Sequence, residues 1–261
     1  MDLGLRGRTA LITGASKGIG KAISLELARE GVRVRLTARS AAGLEAVRNE
    51  IKATSGDDAK IFPLDLSDSK SVDVLAGLCD NVDILINNAG AIPRGRLDEI
   101  DEKRRWRNAW DLKVFGYINM TRAFYALMKA RGKGTIINIL GNGGERLDAG
   151  YICGSTGNAA LMAFTRALGG ASHRDGLRVV GINPGPVATE RLVSLMQKES
   201  VDRFGTPDRW TELTKPFPFQ RAGTVEEIAA MVVLLASDRS SYTTGTVITI
   251  DGGMANAGAL I

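Results

Sequence analysis

An apolar run at 9–13 leads into Thr13-Gly14-Ala15-Ser16-Lys17-Gly18-Ile19-Gly20, and Ile19, Ile23 and Leu27 then recur at helical spacing up to Gly31. Where a strand turns into a helix, free backbone N–H groups and the helix dipole favour an anion. Glycines there let the backbone approach a pyrophosphate and let the helix pack closely on the strand. The candidate cradle for a dinucleotide is Gly14, Ser16, Lys17, Gly18, Ile19 and Gly20. The rival phosphate binder, GxxxxGK followed by Ser or Thr, does not fit. Gly14 to Gly20 is one residue too long, and Ala22 follows Lys21.

The end of the second apolar run reads Thr37-Ala38-Arg39-Ser40 and lacks the carboxylate that would accept a ribose 2′-hydroxyl. Arg39 instead offers a guanidinium fork suited to a 2′-phosphate, and Lys17 can reach the same group. Two cations and no carboxylate favour NADP(H) over NAD(H).

Other chemistries find little support. Two cysteines, Cys79 and Cys153, and the single His173 provide neither a disulfide framework nor a metal cluster, so no metal site is expected. Ser155 lies in Gly154-Ser155-Thr156-Gly157, which misses the GxSxG elbow of a hydrolase. A net charge of +5 is mild, and the run Lys103, Arg104, Arg105, Arg107 reads as a solvated helix face, so no nucleic-acid partner is expected. No signal peptide and no membrane span are visible, which leads to an expectation of a cytoplasmic protein with no membrane partner.

The elements that must position these residues alternate regularly. Strand-like runs stand at 9–13, 32–38, 61–66, 82–86, 134–140, 179–183 and 247–250. Helical patterns follow at 19–31, 41–54, 69–78, 103–130, 151–172 and 225–236, while 191–218 is polar and irregular. This alternation predicts a single-domain, doubly wound parallel sheet of about seven strands with helices on both faces, over residues 1–261. Ligands in such sheets sit at the carboxyl ends of the strands where the strand order reverses.

With these motifs in order, the chain resembles the short-chain dehydrogenase/reductase family over essentially its full length. The resemblance rests on TGASKGIG at 13–20, Asp65, NNAG at 87–90, Tyr151 at a helix start, NPGPVAT at 183–189 and SDRSSYTTGTVITIDGG at 237–253. It implies a Rossmann-like fold and hydride transfer between a nicotinamide and a carbonyl or alcohol substrate. It further implies that Asp65 and Leu66 contact adenine, and that Asn88, Ala89 and Gly90 line the cofactor ribose. Pro184, Gly185, Val187 and Thr189 would hold the nicotinamide end. The segment 191–220 would form a substrate lid, and the protein would be a homo-oligomer, a tetramer or dimer.

Family members pair Tyr with a Lys four residues on, beside a Ser and an Asn. Counted from Tyr151, the Lys position is Ser155; the Ser position falls on Gly141 and the Asn position on Lys113. Two readings stay open. In one, Lys113 takes over the lysine's work, lowering the Tyr151 pKa by its charge, while Ser155 bonds the ribose and Asn142 donates to the carbonyl. In the other, the protein binds NADP(H) as a sensor or scaffold and has lost or changed the reaction.

Overall fold

The computed structural model describes residues 2–257. Strands β1 (Thr9–Thr13), β2 (Arg33–Ala38), β3 (Lys60–Pro63), β4 (Ile84–Asn87), β5 (Gly134–Ile139), β6 (Leu177–Pro184) and β7 (Val247–Ile250) form one sheet. Its order is β3-β2-β1-β4-β5-β6-β7, and every pairing is parallel. Chain order reverses beside β1, which opens a crevice between the ends of β1 and β4.

Both faces of the sheet are covered, so its central strands are apolar throughout rather than alternating. Every residue of β1 is buried. Ile12, Leu36 and Ile137 face α1 (Gly18–Arg29), α2 (Ala41–Ser55) and α8 (Val225–Ala236) in one cluster. Leu11, Leu85 and Ile136 face α3 (Ser69–Leu78) and α5 (Gly116–Arg131) in the other. The expected doubly wound architecture is the one observed.

Three local differences matter. The third strand is Lys60–Pro63, shorter than 61–66, and lies at a sheet edge, where a proline without an N–H is tolerated. The helical stretch expected at 103–130 is continuous but locally widened: π-helical turns at Glu102–Trp106 and Asp111–Phe115 flank α4 (Arg107–Trp110) before α5 begins. Part of the stretch read as irregular at 191–218 is helical, as α7 (Glu190–Phe204). Its polar composition hid it, but its ends carry clear signals. The Thr189 hydroxyl accepts from Leu192 N, and Gly205 closes the helix at φ 74°.

Candidate active site

A cleft of about 1810 Å³ runs along the carboxyl ends of the strands. Gly14, Ser16, Lys17, Gly18 and Ile19 line one end with Arg39, and Leu66, Asn88, Ala89 and Gly90 continue the wall. Pro184, Gly185, Val187 and Thr189 follow toward Tyr151. The sequence-derived cofactor set therefore converges on one cleft, apart from Gly20 and Asp65, which lie behind it. A Cβ on Gly20 would strike the Gly14 carbonyl oxygen and the Asn88 amide, so glycine there lets α1 seat against the turn. The Asp65 carboxylate accepts from Ser67 N at 3.0 Å and Ser67 Oγ at 2.8 Å. Burial raises its pKa, but these bonds and the nearby Arg39 charge outweigh that and hold it below the usual range.

The cradle fits a dinucleotide on local grounds. Gly14 and Gly18 adopt φ of 65° and 56°, open to glycine at little cost. No side chain caps the N-terminus of α1, as is also so for α4, α5 and α6 (Ile152–Ser172), and at α1 the open N–H groups stand beside the cleft-lining turn of Gly14, Ser16, Lys17 and Gly18. The turn is fixed from behind: Thr13 Oγ1 accepts from Asn88 N at 2.8 Å and Ala89 N at 2.9 Å, and Asn88 Nδ2 donates to Thr13 O at 2.9 Å.

At the other end of the cleft, Lys113 sits inside the second π-helical turn and is buried. Its stem crosses Gly90, where a Cβ would meet Lys113 Cδ at 2.6 Å. Its Nζ donates to Ile139 O at 2.6 Å, Tyr117 Oη at 2.9 Å and Leu140 O at 3.3 Å. It also lies 4.5 Å from the centre of the Tyr117 ring. Burial pushes the Lys113 pKa down to about 7 and the Tyr117 pKa well up. Tyr117 therefore stays a neutral phenol, donating to Ile139 O at 2.8 Å.

Tyr151 caps α6 (Ile152–Ser172) rather than belonging to it, with φ −136° and ψ 33°. Its ring lies against Gly154, where a Cβ would stand 2.0 Å from Cζ, 2.1 Å from Cε1 and 2.6 Å from Cε2. The ring also borders Gly143. Tyr151 lines the cleft, and its pKa stands above the ordinary value because burial raises it by more than the Arg191 and Arg94 charges lower it. The cations acting on this phenol are thus arginines, while the Lys113 ammonium is directed at the carbonyls ending β5.

Ser155 and Asn142 are also placed. Ser155 Oγ accepts from Asp148 N at 3.2 Å and faces Asp148 O at 3.4 Å, so it ties down the loop before Tyr151 instead of lining the cleft. Asn142 lines the cleft and donates to Asp251 Oδ2 at 3.2 Å.

Two participants escape a count from Tyr151. Gly154 and Asn158 are four residues apart on α6, and Asn158 Nδ2 lies 3.0 Å from where a Cβ on Gly141 would sit. Asn158 is buried, lines the cleft, and its Oδ1 has no hydrogen-bond partner. Because the helix starts after Tyr151, the Tyr-to-Lys spacing of the family falls on Gly154 and Asn158 when it is laid on the helix facing Gly141. The sequence signal was Gly154 itself, since a glycine inside a helix pattern asks for a packing or functional reason.

A parallel sheet with a phosphate turn at β1 and a titratable group at its carboxyl edge defines a dinucleotide-dependent enzyme of the doubly wound class. The family model for short chain dehydrogenases matches residues 8–200. NADPH-dependent reductase BacG of Bacillus subtilis is 32% identical over 258 residues, covering 94% of this chain and 97% of its own. Galactitol 2-dehydrogenase (L-tagatose-forming) of Cereibacter sphaeroides is 34% identical over 254 residues, covering 95% of each chain. The structure of L-sorbose reductase from Gluconobacter frateurii, complexed with NADPH and L-sorbose, is similar at TM-score 0.93 and 29% identity, covering 99% of this chain and 100% of its own. The chain belongs to the short-chain dehydrogenase family, whose members are oxidoreductases.

Proposed function

We propose that this protein interconverts a small polar carbonyl compound and its alcohol, prefers NADP(H) to NAD(H), and uses Tyr151 to handle the proton. The carrying observation is the Tyr151 side chain: it lines the cleft opposite the dinucleotide cradle, under the charges of Arg191 and Arg94. When bound, the nicotinamide supplies or accepts the hydride. The phosphate turn and the α1 N-terminus hold the pyrophosphate, and Arg39 with Lys17 favours a 2′-phosphate. Tyr151 gives a proton to the substrate oxygen in reduction and takes one in oxidation. A phenol with an ordinary pKa of about 10 is a weak base at neutral pH; burial raises the Tyr151 pKa further, the Arg191 and Arg94 charges oppose that rise, and Lys113 is turned to Tyr117, Ile139 and Leu140 instead. Asn142, on the cleft wall, would offer its amide to the substrate oxygen.

The substrate end carries Arg94, Arg146, Asp148 and Arg191 beside the apolar Leu147, Leu192 and Met196, and of the lid aromatics Phe204, Trp210, Phe217 and Phe219 only Phe217 lines the cleft. Phe204 is instead covered by the Arg209 guanidinium at 4.2 Å, and Phe219 is exposed. Together with the sugar and polyol substrates named for the relatives, this favours a keto-sugar or related hydroxy-ketone. The segment 191–220 acts as the lid. The half-exposed Phe115 and the free β7 edge favour assembly as a homo-oligomer in the cytoplasm.

Turnover of L-sorbose and L-tagatose with NADPH tests this reading. Tyr151→Phe is expected to lower kcat at least a hundredfold with NADPH affinity within threefold. Turnover that ignores Tyr151→Phe would overturn the assignment. Arg39→Ala is expected to weaken NADPH binding, read by fluorescence, at least tenfold more than NADH binding; equal losses would remove the 2′-phosphate contact.

A further inference from the structure

The structure assigns Gly154 the job of a positioning residue: by carrying no side chain, it opens on α6 the seat in which the Tyr151 ring lies, so that the phenol enters the site from the helix cap rather than from the helix. This rests on the reading of Tyr151 as the proton-handling group.

Three observations carry it. First, the seat is one side chain deep. A Cβ on residue 154 would stand 2.0 Å from Cζ and 2.1 Å from Cε1 of the ring, so no residue other than glycine can coexist with the observed ring. Second, a further glycine borders the seat, for a Cβ on Gly143 would stand 3.3 Å from both Cδ1 and Cε1. Third, the backbone of Tyr151 is held where the ring can reach this slot. Gly95 bridges to Tyr151, Gly95 N donates to Gly150 O at 2.8 Å, Tyr151 N donates to Asp148 O at 3.0 Å, and Ser155 Oγ grips Asp148. Helix propensity gives no reason for a glycine here, because glycine weakens a helix interior where alanine would strengthen it. The steric slot does give one. Next to it, the buried Asn158 amide covers Gly141, so both glycines on this wall are occupied by a neighbour's side chain.

Gly154→Ala tests the role without threatening the fold, since alanine suits a helix and Tyr151 caps rather than builds α6. With NADPH and the ketone that turns over, kcat is expected to fall at least tenfold, with NADPH affinity within threefold and Tm unchanged or higher. The double variant Tyr151→Phe/Gly154→Ala is expected to be no slower than Tyr151→Phe alone, because both changes remove the same placed hydroxyl. A readout free of turnover is the phenol absorbance titration, taken as the difference from Tyr151→Phe. Burial holds the Tyr151 pKa up, and in Gly154→Ala the expelled ring should titrate at lower pH. Wild-type kcat in Gly154→Ala, or a phenol titration that does not move, would overturn the role of Gly154 while leaving Tyr151 as the acid. Wild-type kcat in Tyr151→Phe would instead overturn the reading on which the role rests.

Discussion

A lysine with its nitrogen buried among two carbonyls and a phenol is a charge held under tension. The three acceptors around Lys113 Nζ satisfy an ammonium, yet no carboxylate is among them. Burial accordingly wins over hydrogen bonding, and the pKa falls from 10.5 to about 7. In the unfolded chain the same lysine keeps its ordinary value. Between the two, the unfolded state binds more protons than the folded one, so stability rises with pH from about 7 toward 10.5. The slope from one such group is at most about 1.4 kcal/mol per pH unit. Thermal melts at pH 7.0 and 9.0 should therefore show a gain in wild type that is reduced in Lys113→Met. A gain of equal size in both proteins would mean that Lys113 stays protonated in the fold. The same lysine illustrates why a chemical role is hard to read from a position. Its identity was visible in the sequence, but its direction depends on the π turn and on Gly90, which no spacing announces.

At the scale of the element, the sheet and most of its helices were legible, because buried parallel strands are continuous apolar runs and their crossovers repeat the same period. The cofactor cradle was legible for a related reason: backbone geometry at a strand–helix turn needs glycine at fixed steps. The first turn of α6 was not. A tyrosine at a helix cap and one inside the helix look alike in sequence, yet the difference moves the family's Tyr-to-Lys spacing from Tyr151 and Ser155 to Gly154 and Asn158. Ser155 illustrates the consequence. Its hydroxyl contacts Asp148 N and O, seven residues back, and so holds the loop that delivers Tyr151. Ser155→Ala is expected to cost about 1 kcal/mol of stability, the usual size for one lost hydrogen bond. It should also lower kcat several-fold while leaving the NADPH dissociation constant unchanged. A large loss of NADPH affinity would instead place this hydroxyl on the cofactor ribose.

At the scale of the whole molecule, the segment 191–220, proposed above as a lid, is electrically joined to the phenol through Arg191. Arg191 opens α7 beside Thr189, and its guanidinium donates across the cleft to Ile92 O at 3.1 Å, linking the segment after β6 to the loop after β4. From there its charge pulls the Tyr151 pKa down, as that of Arg94 does from the opposite side. On the lid and proton-handling roles proposed above, seating the lid and tuning the phenol are one event, since Arg191 belongs to that segment. The sign of the effect differs between the two directions of reaction. Alcohol oxidation needs the phenolate, which a nearby positive charge favours, whereas ketone reduction needs the phenol, which forms readily at neutral pH. Arg191→Gln should thus move the acidic limb of the oxidation kcat/KM profile to higher pH and lower the oxidation rate at pH 8, while reduction at pH 6.5 loses less. Arg94→Gln should shift the limb in the same direction by a smaller step, because its charge acts more weakly on the phenol. An oxidation profile that stays in place in Arg191→Gln would show that the lid arginine closes the cleft without tuning the base.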